Sequence, residues 1–236
     1  MNENELEQLK EQEGHWVAVS DLMAGLMMVF MLISIVFMVN VETERNRIQD
    51  VAILYDHLRQ KLYEDLNEEF KDDMPRWGAE LSKDLTFRFN NSEILFDKGE
   101  AVLKNQFKDI LSEFFPRYMK IITRPEYYED ILEVRIEGHT STGWFGASSA
   151  DDAYIRNMNL SQARTRSTLG FLMSLPDVKE NKEWLKQYLT ANGLSSAKVI
   201  RDENGNEDQE RSRRVEFKLR TDADSRIATI LQSALK

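Results

Sequence analysis

Three rhythms of apolar and polar positions follow one another along the chain, and each predicts a different element. The first is nearly continuous: WVAVSDLMAGLMMVFMLISIVFMVNV, from Trp16 to Val41, holds 20 residues from Leu22 to Val41 without a charge. At about 1.5 Å per residue, such a helix spans the roughly 30 Å hydrocarbon core of a bilayer. The second rhythm is helical. Ile48, Val51, Tyr55, Leu58 and Leu62 are spaced 3, 4, 3, 4, two heptads of a seam that a second copy of the helix would bury. Asp65 interrupts it, and Leu66 and Phe70 shift the stripe, so packing of this helix on its own domain stays open.

Beyond Pro75 and Gly78 the third rhythm mixes alternation with helical stripes. Leu85, Phe87 and Phe89 alternate with polar residues; the Asn90-Asn91 pair predicts a turn before a second strand with Ile94 and Phe96. Leu103, Phe107, Ile110, Leu111 and Phe114 share one helical face, ended by Pro116. ILEVRIE predicts a strand with Leu132, Val134 and Ile136 inward. NLSQARTRSTLGFLMSL predicts a helix with Leu160, Ala163, Leu169 and Leu172 inward, WLKQYL a short helix, and RRVEFKLR a last strand with Val215, Phe217 and Leu219 on one face. The expected fold class is α+β: a transmembrane helix, a helical linker and a two-layer sandwich on a mixed sheet. The expected segments are a tail over 1–15, a transmembrane helix over 16–41, a dimerising linker over 42–81, a folded domain over 82–221 and a C-terminal tail over 222–236.

Composition narrows the classes. A formal net charge of -10 argues against a general affinity for nucleic acid backbone. The absence of cysteine removes disulfides and thiolate metal sites. A cleaved signal peptide does not fit: the segment before Trp16 carries only Lys10 against five glutamates, and the apolar run is too long for a signal core. A wall hydrolase is disfavoured, because His15, His57 and His139 are scattered and no paired acids stand out. With no second histidine nearby, His139 reads as a structural hydrogen-bonding residue.

Asp21 is the anomaly in the apolar run. Trp16 suits the membrane interface, and Asp21 lies about 7.5 Å deeper on a regular helix. Val17, Ala18 and Val19 already belong to the apolar run, so the acid sits inside it. Ala24 and Gly25 lie one turn on, on the same face, where small side chains let another helix approach. An acid in this position is a functional residue by default, shielded by protein rather than lipid. Ser20 adds a hydroxyl but points about 100° away.

Four motifs occur in order downstream: Phe96-Asp97, Gly138-His139-Thr140, Asn157 with Leu160-Ser161 and Arg164, and Arg213-Arg214-Val215-Glu216. Together they resemble the OmpA-like peptidoglycan-binding domain, over roughly residues 85 to 220. The resemblance implies a site for the diaminopimelate of the peptide stem, built from Thr140, Ser141, Asn157, Leu160, Arg164 and Arg213. Arg164 stands where the family's arginine takes the carboxylate, and a planar fork suits that task. The family's acid for the ammonium is replaced by Ser141, and Asp151 and Asp152 are the candidates to supply the missing charge.

The whole layout, an acidic tail, one span with W-x-x-x-x-DLM near its start, a helical linker and an OmpA-like domain, is similar to flagellar stator B subunits of the MotB and PomB type. The SDLMAGLMMVFM wording and compact length are closer to the MotB-like subunit of Zorya anti-phage systems, ZorB. The resemblance implies an inner-membrane, single-pass protein that is not an enzyme. It implies a homodimer inside a multi-span MotA-like partner, five partner chains around two of these, with Asp21 carrying the ion. No cofactor is implied beyond that ion, and a proton is favoured over sodium, which needs several oxygens. Wall binding places the C-terminal domain in the periplasm and the N-terminus in the cytoplasm, against the weak lean of Arg45 and Arg47 over Lys10. A flagellar-type stator subunit and a passive membrane-to-wall tether are the alternatives, and residues 42–70 could serve as a plug instead of a constant dimer seam.

Overall fold

The computed structural model describes residues 3–222, with side-chain surroundings for all of these except 3–15, 17, 18 and 47–55. The chain divides into two compact units, residues 1–53 and residues 54–236. Helix α1 (Glu3–Phe70) contributes to both. In the first unit, Val19–Asn46 is the one helix among the described residues long and apolar enough to cross a bilayer. None of its most apolar stretch is buried against the protein, which separates it from the core helix of a soluble domain.

The second unit is a five-stranded mixed sheet in the order β1-β2-β5-β3-β4, covered on one face by helices. Its strands are β1 (Ala79–Leu81), β2 (Thr86–Phe89), β3 (Ile131–Gly138), β4 (Leu189–Gly193) and β5 (Val215–Thr221). Two long helices, α4 (Asn105–Ile122) and α6 (Ala150–Ser174), carry most of the covering layer. Shorter helices punctuate the loops: α2 (Met74–Trp77), α3 (Ser92–Leu95), α5 (Pro125–Tyr128), α7 (Lys182–Tyr188) and α8 (Gln209–Ser212). β2, β5 and β3 pair antiparallel, while β4 runs parallel to β3 after the long helical crossover such a connection needs.

Alternation sorts the sheet's faces. Phe87 and Phe89 of β2, Val215, Phe217 and Leu219 of β5, and Val134 and Ile136 of β3 are buried under the helices. Phe114 of α4 is the hub, its ring centroid 5.0 Å from Phe87, 5.3 Å from Phe89 and 5.3 Å from Phe217. The opposite face is a ladder of charge: Arg88 lies opposite Glu216 in the register of β2 and β5, and Glu133 opposite Arg220 in that of β3 and β5.

The end of α1 belongs to this core. Leu62, Leu66 and Phe70 are 0% exposed, and Phe70 packs at 5.2 Å from Phe87 and 5.3 Å from Phe114. Leu58 and Leu62, the last two positions of the expected dimer seam, are therefore spent on the chain's own domain. The earlier positions Ile48, Val51 and Tyr55 lie outside the described side chains. The compact unit thus begins at Leu54, well before the expected residue 82.

Several local expectations are corrected. The partner of β2 is β1, upstream of it, and Ser92–Leu95 forms a helical turn capped by Asn91, where a second strand was expected. Leu85 takes a left-handed conformation at φ +61° just before the strand begins. α4 runs through Pro116: the proline frees only the carbonyl of exposed Ser112, which water can serve, and the continuation buries Tyr118, Met119, Ile121 and Ile122. A β-bulge between Ile131 and Glu133 turns Leu132 outward, 41% exposed.

α6 buries a different face from the one its leucines suggest. Asn157, Ser161, Thr165, Thr168 and Leu172 point inward, while Leu160, Ala163 and Leu169 are only partly covered. The cause is close approach. A Cβ on Gly193 would meet the Gln162 backbone nitrogen at 2.2 Å, and one on Gly138 would meet Thr165 Cγ2 at 2.7 Å. Only short side chains fit between helix and sheet, and their hydroxyls are satisfied locally: Thr165 Oγ1 donates to Ser161 O and Thr168 Oγ1 to Arg164 O. β4, which bears Gly193, went unrecognised in the sequence. Of the C-terminal tail expected over 222–236, residues 223–236 lie outside the described residues.

Candidate functional site

In the first unit, Asp21 lies within Val19–Asn46, two residues from its start, and is exposed on the helix together with Ser20, Ala24 and Gly25. Its i+3 and i+4 neighbours Ala24 and Gly25 carry no polar side chain, and Gly25 leaves nothing within 4 Å of a Cβ there, so the surface beside it is open to a neighbouring helix.

In the second unit, the four motifs converge although they are spread over more than a hundred residues. An open cleft of about 750 Å³ is lined by Thr140, Ser141, Asn157, Leu160, Arg164 and Arg213, together with Phe96, Asp97 and the aromatic pair Trp144 and Phe145. The floor comes from the end of β3. Leu194 N donates to Gly138 O, and Thr140 N donates to Ser195 O at 2.9 Å, so the strand's exit is pinned beside β4. Ser195 holds a left-handed φ of +51° and is tied to α6 twice: its N–H donates to Ser161 Oγ and its hydroxyl to Tyr154 O.

Arg164 rises from α6 and is fixed before any ligand arrives. Its Nε donates to Glu100 O at 2.8 Å and its Nη2 to Asp97 O at 3.1 Å, while the guanidinium lies 4.7 Å from the Phe96 ring centre. Burial, with repulsion from Arg213, pulls its pKa down to about 10, which still leaves it charged at neutral pH. Two guanidiniums thus meet in one cleft, and no carboxylate among the described residues lies within ion-pair distance of Arg164 or Arg213. Such a pair is a receptor for an anion. Thr140 Oγ1 is buried without a hydrogen-bond partner among the described residues, and Asn157 Nδ2 donates weakly to Gly143 O at 3.4 Å.

Asp151 and Asp152 do not line the cleft. Asp152 is consumed at the start of α6, where it accepts from Ser148 N and Ser148 Oγ and pairs with Arg156 at 2.7 Å. Arg156 and the Ser148 N–H hold its carboxyl down at about 2. Asp151 is exposed in the same first turn. Both complement the helix dipole, a sufficient local reason for two acids at a helix start. The acid beside Ser141 is one the sequence did not suggest: Glu207 accepts from both the backbone N–H and the hydroxyl of Thr142.

His139 is buried, with Nε2 3.5 Å from Glu137 and 3.6 Å from Glu216, and neither ring nitrogen makes a hydrogen bond of ordinary geometry. The three could converge on a metal ion. Their charge is already answered, however: Arg88 and Arg214 donate to Glu216 Oε1 at 2.7 and 2.6 Å, and Lys198 lies 3.8 Å from Glu137. Burial alone would raise the Glu216 carboxyl, but His139, Arg214 and Arg88 together hold it well below the usual carboxylate range. His139 likewise lowers Glu137 against burial. The arrangement is a buried charge cluster between the sheet and the cleft floor, with the imidazole beside two acids. The motif Arg213-Arg214-Val215-Glu216 divides its labour between the cleft, this buried cluster and the core. The motif itself was legible in the sequence as the last of the four, but this division of labour was not.

No family model matches the chain. Over 225 residues it is 47% identical to the Zorya protein ZorB of Escherichia coli, covering 94% of this chain and 95% of that one. The crystal structure of a MotB-like protein from Desulfovibrio vulgaris superposes with a TM-score of 0.50 at 20% identity, covering 72% of this chain and 98% of that one. The cell wall anchor of the T6SS from Pseudomonas aeruginosa reaches 0.46 at 17% identity, over 66% and 96%. The MotB-like likeness is one of fold. The sequence identity, over nearly the full length of both chains, says more, and by it the chain belongs to the ZorB family of Zorya proteins.

Proposed function

We propose that the chain is the wall-anchored, ion-carrying subunit of an inner-membrane motor that serves anti-phage defence. Two copies present their Asp21 side chains inside a ring of a multi-span MotA-like partner, with the N-terminus in the cytoplasm and the second unit on peptidoglycan. An ionised Asp21 in hydrocarbon is costly, so an incoming ion neutralises it. Binding on one side and release on the other alternates its charge, and each charge moved down the membrane potential yields about 2.3 kcal/mol per 100 mV. A proton needs only the carboxyl, whereas sodium needs several oxygens, and Ser20 is the one hydroxyl beside Asp21 in sequence. The cleft's two guanidiniums take a carboxylate of the wall peptide and hold the dimer still while the ring moves.

The observation that carries this reading is the pairing, in one chain, of an acid inside a membrane-length helix with a cleft in which two arginines have no acidic partner among the described residues. The kinship to ZorB and the MotB-like fold support it. The test is Asp21→Asn in cells carrying the complete gene neighbourhood and challenged with phage. The amide keeps the shape and loses the titration, so protection should vanish at unchanged protein level. A passive tether predicts full protection with the same variant.

A further inference from the structure

The loop that follows the cleft floor displays an aromatic side chain where nothing in the fold needs one. Phe145 is 95% exposed, the most of any large hydrophobic side chain among the described residues, yet the loop that carries it is held at both ends. Thr142 is clamped by Glu207 at one end, and Ser148 is bound by Asp152 at the other. Between them Ala147 N donates to Trp144 O, and Gly146 holds a φ of +74°, the signature of a tight turn with Phe145 at its first corner. At that corner the Phe145 ring stands in solvent. Trp144, half-buried, lines the same cleft. The backbone ordering cost of presenting these rings is met by the fold before any ligand binds.

We infer, on the wall-binding reading of the cleft proposed above, that Phe145 with Trp144 forms a stacking lip for a pyranose ring, a second subsite of the same cleft. Two features select this occupant. Residues 142–149, TGWFGASS, carry no charge, so the lip suits a neutral amphipathic surface such as the C–H face and acetyl methyl of an N-acetylated amino sugar. The lip also borders the cleft that holds Arg164 and Arg213, so one ligand bearing a carboxylated peptide on a neutral sugar fills both parts. Arg164 and Arg213 then read the peptide, and Phe145 reads the glycan to which the peptide is attached.

The experiment measures binding of two probes to the full-length chain in detergent: the free stem tripeptide ending in diaminopimelate, and the same tripeptide on its N-acetylglucosaminyl-N-acetylmuramyl disaccharide. The wild type should bind the disaccharide form more tightly. Phe145→Ala should weaken that form by about tenfold, the order of a lost aromatic contact, and so reduce the preference for it over the free tripeptide. Phe145→Trp should restore the preference. At such exposure the substitution spares folding, which an unchanged melting temperature checks. Equal wild-type affinity for the two probes, an equal loss for both in Phe145→Ala, or a change only in oligomer mass would overturn the lip and leave the arginine subsite standing. Binding of neither probe by the wild type would overturn the wall-binding reading and the lip with it.

Discussion

At Arg164 the guanidinium is committed to position before it meets a ligand. Two backbone carbonyls and the Phe96 face hold it, and none of these neutralises its charge. The remaining N–H groups are therefore available to a carboxylate at little ordering cost. Arg164→Ala should weaken binding to purified sacculi by about 10- to 100-fold, the worth of a charge-assisted pair, as read by co-sedimentation. Arg164→Lys should not restore it, because an ammonium cannot serve the Asp97 and Glu100 carbonyls and a bidentate ligand together. Arg164 and its neighbours Asn157 and Leu160 were legible as a motif. Glu207 and Ser195 were not, because they join the site through contacts from segments far along the chain. Asp151 and Asp152 misled for the opposite reason: their task is local, at the first turn of α6, and acidic side chains there look the same whether they cap a helix or face a ligand.

Among the elements, α6 shows how backbone proximity overrides an apolar stripe. Its leucines predict one buried face, and the glycines of β3 and β4 select another, because only small side chains fit where helix and strand nearly touch. Gly193→Ala should destabilise the domain by at least about 2 kcal/mol, since the obstructing atom belongs to backbone and cannot rotate away. Urea unfolding would show this as a lower midpoint at unchanged slope. The end of α1 makes the complementary point. Leu62, Leu66 and Phe70 complete an aromatic core that is otherwise open on that side. A chain starting at residue 82 should fail to fold, and one starting at residue 54 should melt cooperatively. Circular dichroism of the two would decide it, and cooperative melting of the shorter one would refute the assignment.

For the molecule as a whole, the second unit carries a ladder of charge on one face of its sheet, and this ladder contributes to its response to acid. Arg135 hydrogen-bonds the Glu133 carboxyl, which burial opposes and Thr190 and Arg220 reinforce, and holds its pKa at about 2. Glu137 and Glu216 are lowered as well. A carboxyl whose folded pKa is depressed stabilises the fold fully above its unfolded value, about 4.5, and loses that contribution as pH falls through the folded value. The melting temperature should thus be level near neutrality and fall progressively between about pH 5 and pH 2. Glu133→Gln should lower the neutral-pH stability by at most about 3 kcal/mol and make the acid slope shallower. An unchanged slope would show that the Glu133 network contributes nothing.

The sequence alone determined what depends on neighbours along the chain. The length of the apolar run, the acid inside it, the alternation of β2, β3 and β5 and the order of the four motifs are all local properties, readable from spacing and side-chain chemistry. Tertiary structure decided what depends on distance in space. It brought Arg164 and Arg213 into one cleft, spent Leu58 and Leu62 on the domain's own core, and added β4, whose run of Leu-Thr-Ala-Asn-Gly alternates over only four residues with Leu189 as its one large apolar side chain. The physical reason is that a period records which face a segment turns inward. It does not record which other segment will be there to meet it, and that is fixed only when the sheet register and the close contacts at Gly138 and Gly193 are formed.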